Sequence, residues 1–238
     1  MSAERADKVL VLGSGTMGEG SAQTFAQYGF DVRLVARREE PLKRALAQIG
    51  LNVKQFIEYG LITEPAEDVL ARIEGMVTTD MAQAVQGCTY CVETSQELRE
   101  PQQELLGAVM AAAPDLPIGS NTGSFTIDTL TEGLAQPQNV IGIHYFNPAH
   151  IIPLVEIHRG SATTDEVFEV TQRLIGASGK NTVLVRNVKP GFIVNRLMGA
   201  LEREIDYLLD EGIVTPEDLD VAVKSSTGRW TLVGGSPW

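Results

Sequence analysis

Two short segments of the sequence place a histidine and a carboxylate where they can move a proton. His144 lies in Ile-Gly-Ile-His-Tyr-Phe-Asn-Pro148, and Glu156 ends the later segment Ile-Pro-Leu-Val-Glu156. We expect both segments to form short strands, so that a strand–turn–strand brings the two side chains together. A histidine oriented by a carboxylate acts as a general base near neutral pH. The other two histidines, His150 and His158, are interpreted as structural or surface residues.

A glycine-rich segment near the N-terminus predicts a dinucleotide site. It follows the apolar run of residues 8–12 and precedes a helical stretch that ends near Tyr28. In such a strand–loop–helix unit the first glycine permits the tight turn, the second lets the backbone approach a pyrophosphate, and the third lets the helix pack on the strand. The helix N-terminus adds free amides and a partial positive charge. The cofactor-binding residues predicted here are Gly13, Ser14, Gly15, Thr16, Met17 and Gly18.

The end of the second predicted strand, residues 32–36, bears on which dinucleotide binds. NAD-binding domains carry an Asp or Glu about 20 residues beyond the glycine loop, where it binds the ribose hydroxyls. This position holds Ala36, followed by Arg37 and Arg38. Arginines without a carboxylate suit a ribose 2′-phosphate. We therefore expect the cofactor to be NADP or NAD, with a preference for NADP; the alternative is a solvated charge pair at a strand end.

The elements that must position these groups alternate between strands and helices. A helix–loop–helix arm that projects from the sheet is predicted over residues 40–73, and short strands separated by helices follow it. This alternation is typical of an α/β fold with a Rossmann-type, mostly parallel sheet. The later strands are predicted at 75–79, 89–93, 116–119, 140–144, 154–157 and 182–186, and the helices between them at 80–86, 98–113, 126–134 and 164–178.

The pattern becomes purely helical after Lys189-Pro-Gly191. Residues 193–211 carry apolar side chains at helical spacing, and Thr215-Pro-Glu-Asp218 is typical of a helix start. We therefore divide the chain into a dinucleotide-binding domain, residues 1–187, and a short all-α C-terminal domain, residues 188–238.

Composition narrows the class of partner. The chain is 43% hydrophobic and 21% charged, which predicts a folded globular protein. Its formal net charge of −12 argues against nucleic acid or an anionic membrane as a partner. The first eight residues lack the apolar region of a signal peptide, and no later run is long enough to span a membrane, so we expect a cytoplasmic location.

Two cysteines, Cys88 and Cys91, form a C-x-x-C motif. A zinc site would need two more ligands, and the sequence offers no second Cys pair or histidine cluster beside them. In the predicted strand the two thiols point to opposite faces. We interpret them as buried structural residues and expect no metal site.

Five motifs, taken in this order, resemble those of the 3-hydroxyacyl-CoA dehydrogenase family, in its 3-hydroxybutyryl-CoA dehydrogenase-like form. The resemblance covers nearly the whole chain, and the combination is far more specific than any one motif. The motifs are Gly13–Gly18, Ser120-Asn-Thr122, His144-Tyr-Phe-Asn-Pro148, Pro153-Leu-Val-Glu156 and Pro190-Gly-Phe-Ile-Val-Asn-Arg196.

The resemblance implies an oxidoreductase of fatty acid metabolism and a role for each matching residue. His144 matches the base that takes the proton from the C3 hydroxyl of a 3-hydroxyacyl-CoA as a hydride leaves for the cofactor. Glu156 matches the carboxylate that orients it, and Asn195 an asparagine near the substrate oxygen. The nicotinamide half of the cofactor is expected to lie against Glu93 and Asn147. The expected substrate-binding residues are Ser120, Asn121 and Ser124.

Four positions depart from the family pattern. Ala36 replaces its aspartate, and Gly123 replaces a serine, with Ser124 next to it as a possible substitute. Gln102 aligns with a lysine that helps hold the cofactor and the CoA thioester end, which puts affinity for CoA in doubt. Residues 149–153 resemble members that act on small free hydroxy acids, such as gulonate or carnitine dehydrogenases.

The helical C-terminal domain of the family normally runs on for several more helices than residues 188–238 supply. The helix at 193–211 then lacks partners within these residues, so either it packs in an oligomer, which we expect to be a homodimer, or the sequence is a truncated form. Three hypotheses stay open at this point: a 3-hydroxyacyl-CoA dehydrogenase, a dehydrogenase of a small free 3-hydroxy acid, and a catalytically impaired cofactor-binding protein. The third would follow from the short helical domain and from Gly123.

Overall fold

An eight-stranded sheet forms the centre of the molecule's first unit. The computed structural model describes residues 7–226 and residue 228. The strands are β1 (Lys8–Leu12), β2 (Asp31–Ala36), β3 (Ile73–Val77), β4 (Tyr90–Glu93), β5 (Ile118–Ser120), β6 (Val140–Tyr145), β7 (Leu154–Arg159) and β8 (Asn181–Leu184). The helices are α1 (Thr16–Gln27), α2 (Glu39–Glu58), α3 (Ala66–Ala71), α4 (Met81–Ala84), α5 (Arg99–Ala112), α6 (Ile127–Thr131), α7 (Asp165–Ala177), α8 (Val194–Asp210) and α9 (Pro216–Ser225).

The strand order is β3-β2-β1-β4-β5-β6-β7-β8. The strands β1 to β6 run parallel to one another, β7 is antiparallel to β6, and β8 is parallel to β7. The chain leaves β1 toward β2 and β3 and then returns to place β4 on the other side of β1. In open α/β sheets a ligand crevice forms at such a reversal, beyond the carboxyl ends of the strands. The predicted Rossmann-type, mostly parallel sheet is confirmed.

Helices cover both faces of the sheet, which explains why residues 9–12 of its first strand are all apolar and buried. Val9 and Val11 pack in one core with residues of α1, α2 and α7, whereas Leu10 and Leu12 pack in a second core with residues of α5 and α6. Because successive side chains of a strand point to opposite faces, a strand between two helical layers has no polar face.

The helix–loop–helix region between β2 and β3 consists of α2 and α3. One face of α2 is buried against α1, β2 and β3 through Leu42, Ala45, Ile49 and Val53. These apolar positions recur at helical spacing, so burying them places the helix along the sheet. These turns of the arm therefore lie on the sheet rather than projecting from it.

The structure corrects the expectation for the two cysteines. Strand β4 begins at Tyr90, so Cys88 precedes the strand, and its side chain packs in the same apolar cluster as that of Cys91. The prediction that they point to opposite faces was therefore wrong. Burial raises the pKa of both thiols, and neither is poised as a thiolate nucleophile.

The chain divides into two compact units between Phe192 and Ile193. In the second unit α8 and α9 confirm the predicted helices, and Thr215 caps α9 by accepting a hydrogen bond from the Asp218 backbone N–H at 3.2 Å. The boundary expected at residue 187 stays a prediction. No helix in the described part of the chain is long and apolar enough to cross a membrane.

Candidate active site

The loop between β1 and α1 leaves no space for a side chain at two of its glycines and leaves space for one at the third. A Cβ on Gly13, whose φ is +112°, would lie 2.9 Å from the Thr94 carbonyl oxygen, and one on Gly18 would lie 1.8 Å from the Gly13 carbonyl oxygen. A Cβ on Gly15 would meet nothing within 4 Å. The packing roles predicted for Gly13 and Gly18 therefore match the geometry, and Gly15 leaves its side of the loop accessible to a ligand.

The first turn of α1 contains backbone N–H groups that have no capping side chain. Gly15 is its N-cap residue and supplies no side-chain hydrogen bond, so the first-turn amides have no capping partner from that residue. Thr16 is exposed, Ser14 is half-buried, and Met17 is half-buried against the core. Free amides and the helix dipole fit a pyrophosphate, so this loop suits a dinucleotide.

The two arginines after β2 are solvent-exposed. Ala36 ends the strand and is buried, whereas Arg37 and Arg38 are exposed at the start of α2. Among the described residues neither arginine side chain forms an ion pair or hydrogen bond. By contrast, Arg33 of the same strand is buried and bonded to Glu74. Of these three described arginines, the exposed pair is therefore the one available to a phosphate at the strand end.

The centre of the site is a buried contact between β6 and β7. His144 and Glu156 are direct partners in the antiparallel register, and His144 Nδ1 lies 2.9 Å from Glu156 Oε2. Glu156 is fully buried, and His144 is 9% exposed. Because the carboxylate accepts, we assign the proton to Nδ1, which leaves the lone pair on Nε2. The structure thus brings together the two residues that the sequence singled out for proton transfer.

Aromatic rings surround this imidazole. The ring centroid of Phe146 lies 4.5 Å from that of His144, and the ring centroid of Phe192 lies 5.4 Å from it. Apolar rings exclude water and strengthen the contact between the imidazole and the carboxylate. Neither phenylalanine was singled out in the sequence, although Phe146 lies within the motif that carries His144 and Phe192 within the motif that carries Asn195.

A second histidine lies on the same face of β7 as Glu156. His158 is fully buried opposite Gly142, where a Cβ would lie 2.0 Å from its Cε1 atom, and its ring lies 4.4 Å from that of Phe192. Burial first, and the neighbouring His144 second, lower the pKa of His158 to about 4. This imidazole is therefore neutral at pH 7, consistent with its interpretation as structural. Strand alternation from Glu156 would have placed it beside the base.

The loop after β5 lies against the free nitrogen of the base. A Cβ on Gly123 would lie 2.8 Å from His144 Nε2, so only glycine fits with the imidazole in this position. Glu97 holds this loop: its Oε1 accepts bonds from Thr122 Oγ1 at 2.6 Å and from the backbone N–H groups of Gly123 and Ser124 at 3.1 and 3.0 Å. Sequence reasoning missed Glu97, because nothing local links it to a loop 25 residues away.

Glu93 ends β4 and is fully buried. Its carboxylate accepts bonds from Ser95 N at 2.6 Å, Ser95 Oγ at 2.5 Å, Gln102 Nε2 at 3.2 Å and Ser120 Oγ at 2.7 Å. Ser120 is also fully buried, so its hydroxyl faces Glu93 in the interior rather than an open crevice. Asn121 accepts the Tyr145 N–H at 3.0 Å, which ties the ends of β5 and β6 together.

The remaining predicted residues lie in exposed positions. Ser124 is exposed beside Gly123, and Asn147 is exposed in the loop after β6. Lys180 stabilises that loop, because its ammonium group donates hydrogen bonds to the carbonyl oxygens of Ala149 at 2.6 Å and Ile152 at 2.8 Å. Asn195 is the second residue of α8 and is exposed in the second unit.

Comparison with protein families gives two adjacent matches. Residues 8–188 match the 3-hydroxyacyl-CoA dehydrogenase NAD binding domain, and residues 191–231 match the 3-hydroxyacyl-CoA dehydrogenase C-terminal domain.

Individual relatives are similar over most of the chain. A 3-hydroxybutyryl-CoA dehydrogenase of Bradyrhizobium diazoefficiens is 34% identical over 219 residues, which are 91% of this chain and 73% of the relative. An L-carnitine dehydrogenase of Pseudomonas putida is 32% identical over 227 residues, which are 94% of this chain and 68% of the relative. The crystal structure of (S)-3-hydroxybutyryl-CoA dehydrogenase from Ralstonia eutropha superposes with a TM-score of 0.84 at 29% identity, covering 92% of this chain and 77% of that one.

Proposed function

This chain belongs to the 3-hydroxyacyl-CoA dehydrogenase family, and on that premise we propose that it transfers a hydride between NAD(P) and C3 of a 3-hydroxyacyl-CoA. Its class is that of an NAD(P)-dependent oxidoreductase acting on CH–OH groups. The observation that carries the proposal is the buried contact of 2.9 Å between His144 Nδ1 and Glu156 Oε2, which leaves Nε2 free to take a proton.

The residues of this chain divide the chemistry between them. The dinucleotide would be held at the Gly13–Gly18 loop and, when bound, its nicotinamide supplies the hydride acceptor. His144 Nε2 takes the proton of the C3 hydroxyl, and Glu156 stabilises the imidazolium that results. Phe146 and Phe192 exclude water from that charge pair. Asn195, in the second unit, is proposed to bind the substrate oxygen, on its match to the family motif alone.

A second candidate substrate is a small free 3-hydroxy acid. The L-carnitine dehydrogenase of Pseudomonas putida, at 32% identity, favours this alternative. Residues 149–153 resemble members of that kind, and Lys180 fixes this segment by binding the carbonyl oxygens of Ala149 and Ile152. The reaction at C3 would be the same in both cases, and only the group beyond it would differ.

For the cofactor we propose NADP over NAD. Ala36 provides no carboxylate to bind ribose hydroxyls, and Arg37 and Arg38 are exposed without an ion pair to the described residues. An arginine pair in this position suits a 2′-phosphate.

We further propose that the protein forms a homodimer through the second unit. The helix α8 exposes Leu197, Met198, Leu201 and Tyr207, an apolar surface of the kind that oligomers bury. Size-exclusion chromatography with light scattering tests this proposal, and a monodisperse monomer would contradict it. The two free cysteines suit the reducing cytoplasm that we propose as its location.

A reductase assay tests the proposed function. Purified protein is given NADPH or NADH with acetoacetyl-CoA or with free 3-keto acids, and cofactor oxidation is followed. Turnover of acetoacetyl-CoA is expected, faster with NADPH. Activity on free acids alone would show that the substrate is a free 3-hydroxy acid rather than a 3-hydroxyacyl-CoA. Cofactor binding without activity on either substrate would indicate an impaired enzyme.

A further inference from the structure

The carboxylate of Glu93 is buried without a compensating cation. Its four hydrogen-bond donors are the Ser95 amide, two serine hydroxyls and the Gln102 side chain, all of them neutral. Within residues 7–226 and 228 no lysine, arginine or histidine pairs with it, although the acidic groups Glu64, Glu74 and Glu156 all have such partners. A buried charge that stays unpaired projects its field further than a paired or solvated one.

The position of Glu93 in the sheet places this charge beside the route that a bound dinucleotide would take. Leu12, which ends β1 just before the glycine loop, is the register partner of Glu93, and Thr94 Oγ1 donates to the Gly13 carbonyl oxygen at 3.4 Å. The sheet then continues through β5 to β6, which carries His144. A dinucleotide whose pyrophosphate lies at the loop and whose reactive end reaches His144 must therefore pass over the ends of β4 and β5.

Gln102 adds a second observation at the same place. It is fully buried on α5, its Nε2 donates to Glu93, and its Oε1 has no hydrogen-bond partner. A buried acceptor beside a carboxylate further increases the negative potential there. The four neutral donors offset that potential only in part, and no cation of the described residues pairs with Glu93, so a positive charge brought nearby is stabilised.

We propose that the negative charge of Glu93 strengthens the binding of the oxidised dinucleotide. The neutral side chain of Gln102 leaves that charge without a cation, and a cation at position 102 would weaken the binding of the oxidised form. The inference rests on the proposed function, because it requires a nicotinamide above β4 and β5. The two redox forms differ in ring charge: the oxidised nicotinamide is cationic and the reduced one neutral. The phosphate groups carry the same charge in both forms, so their contribution cancels in the ratio of the two dissociation constants.

The experiment adds one charge at two adjacent positions of α5. Gln102→Lys places an ammonium beside Glu93. Gln103→Lys is the matched control, because Gln103 bonds instead to the carbonyl oxygens of Thr129 and Glu132. Kd of the reduced cofactor is measured by its fluorescence and Kd of the oxidised cofactor by competition against it. Glu93→Gln, which removes the same charge without adding bulk, covers the case in which a buried lysine prevents folding.

The expected result is weaker binding of the oxidised form relative to the reduced form. The ratio of Kd for the oxidised to Kd for the reduced cofactor should rise about tenfold in Gln102→Lys and in Glu93→Gln, and by less than about twofold in Gln103→Lys. An unchanged ratio in folded Gln102→Lys and Glu93→Gln, or an equal rise in the control, would overturn the inference alone. Failure of the wild-type chain to bind either form would overturn the proposed function with it.

Discussion

The β6–β7 pair and the end of β2 are held in opposite ways. At the first, His144 and Glu156 are buried, paired across the strands and packed against two phenylalanine rings. At the second, Arg37 and Arg38 extend into solvent with no described partner. Packing and strand pairing fix the geometry of the first region, whereas no described contact fixes the two side chains of the second.

This difference teaches where the protein can tolerate change. Proton transfer needs groups held at fixed distances, and packing within a sheet provides that. The proposed selection of NADP needs only an attraction of moderate strength, which two exposed side chains can supply. Substitutions at the β6–β7 pair should therefore cost far more than substitutions at the end of β2.

The largest effect is expected from His144→Gln. Removing the general base should lower kcat by about 10²–10⁴, while the Kd of the cofactor should change by less than about threefold. Steady-state kinetics and cofactor titration on one preparation measure both quantities. Arg173→Gln serves as the control, because Arg173 is an exposed residue of α7 that pairs with Asp7. Turnover of His144→Gln within about threefold of wild type would contradict the proposed role of His144 as the general base.

A smaller effect, on the free energy of unfolding, is expected from His158 of β7. The pKa of His158 is about 4 in the folded protein, against 6.5 for an unperturbed histidine. Between these pH values the unfolded chain binds a proton that the folded chain does not, so the free energy of unfolding falls as the pH is lowered through this range. The loss from this group amounts to about 3 kcal/mol by pH 4.

His158→Leu, of similar volume, should lack this part of the acid destabilisation. Urea unfolding of both proteins at pH 6.5, 5.5 and 4.5 tests this, since all other titrating groups are shared. Parallel stability profiles for the two proteins would show that His158 is not held neutral by burial.

The smallest effect is expected at the end of β2. Replacing Arg37 and Arg38 by alanine should weaken NADPH binding about tenfold and NADH binding by less than about twofold, because only NADPH carries the 2′-phosphate. Arg44→Ala, at an exposed position of α2, controls for the loss of positive charge. Equal weakening for both cofactors, or a wild-type preference for NADH of about tenfold, would remove the proposed role.

Periodicity and motif spacing were sufficient for much of the fold. The apolar run at residues 9–12 indicates a buried strand and the helical spacing of apolar residues at 193–211 indicates a helix, and the structure contains both. The antiparallel direction of β7 follows from the short connection between β6 and β7, which leaves no room for a crossover helix. Cys88 was misplaced because the residue at which a strand begins depends on pairing with its neighbours.

The site was predictable where its parts are close in sequence. His144 and Glu156 meet across one turn, so alternation and spacing were enough to pair them. Glu97 and the burial of Ser120 were not predictable, because each depends on contacts between separate strand ends. Gln102 attracted notice only as a departure from a family lysine; that its Oε1 is buried without a partner is a property of the packed structure.

The most direct test of the central claim, that His144 and Glu156 act as one unit, is a double-mutant cycle. The value of kcat/KM is measured for wild type, His144→Gln, Glu156→Gln and the double variant, with far-UV circular dichroism to verify folding. If Glu156 acts through His144, the double variant should be no slower than His144→Gln alone, within about threefold. Losses that multiply in the double variant, or near-wild-type activity in His144→Gln, would contradict the account.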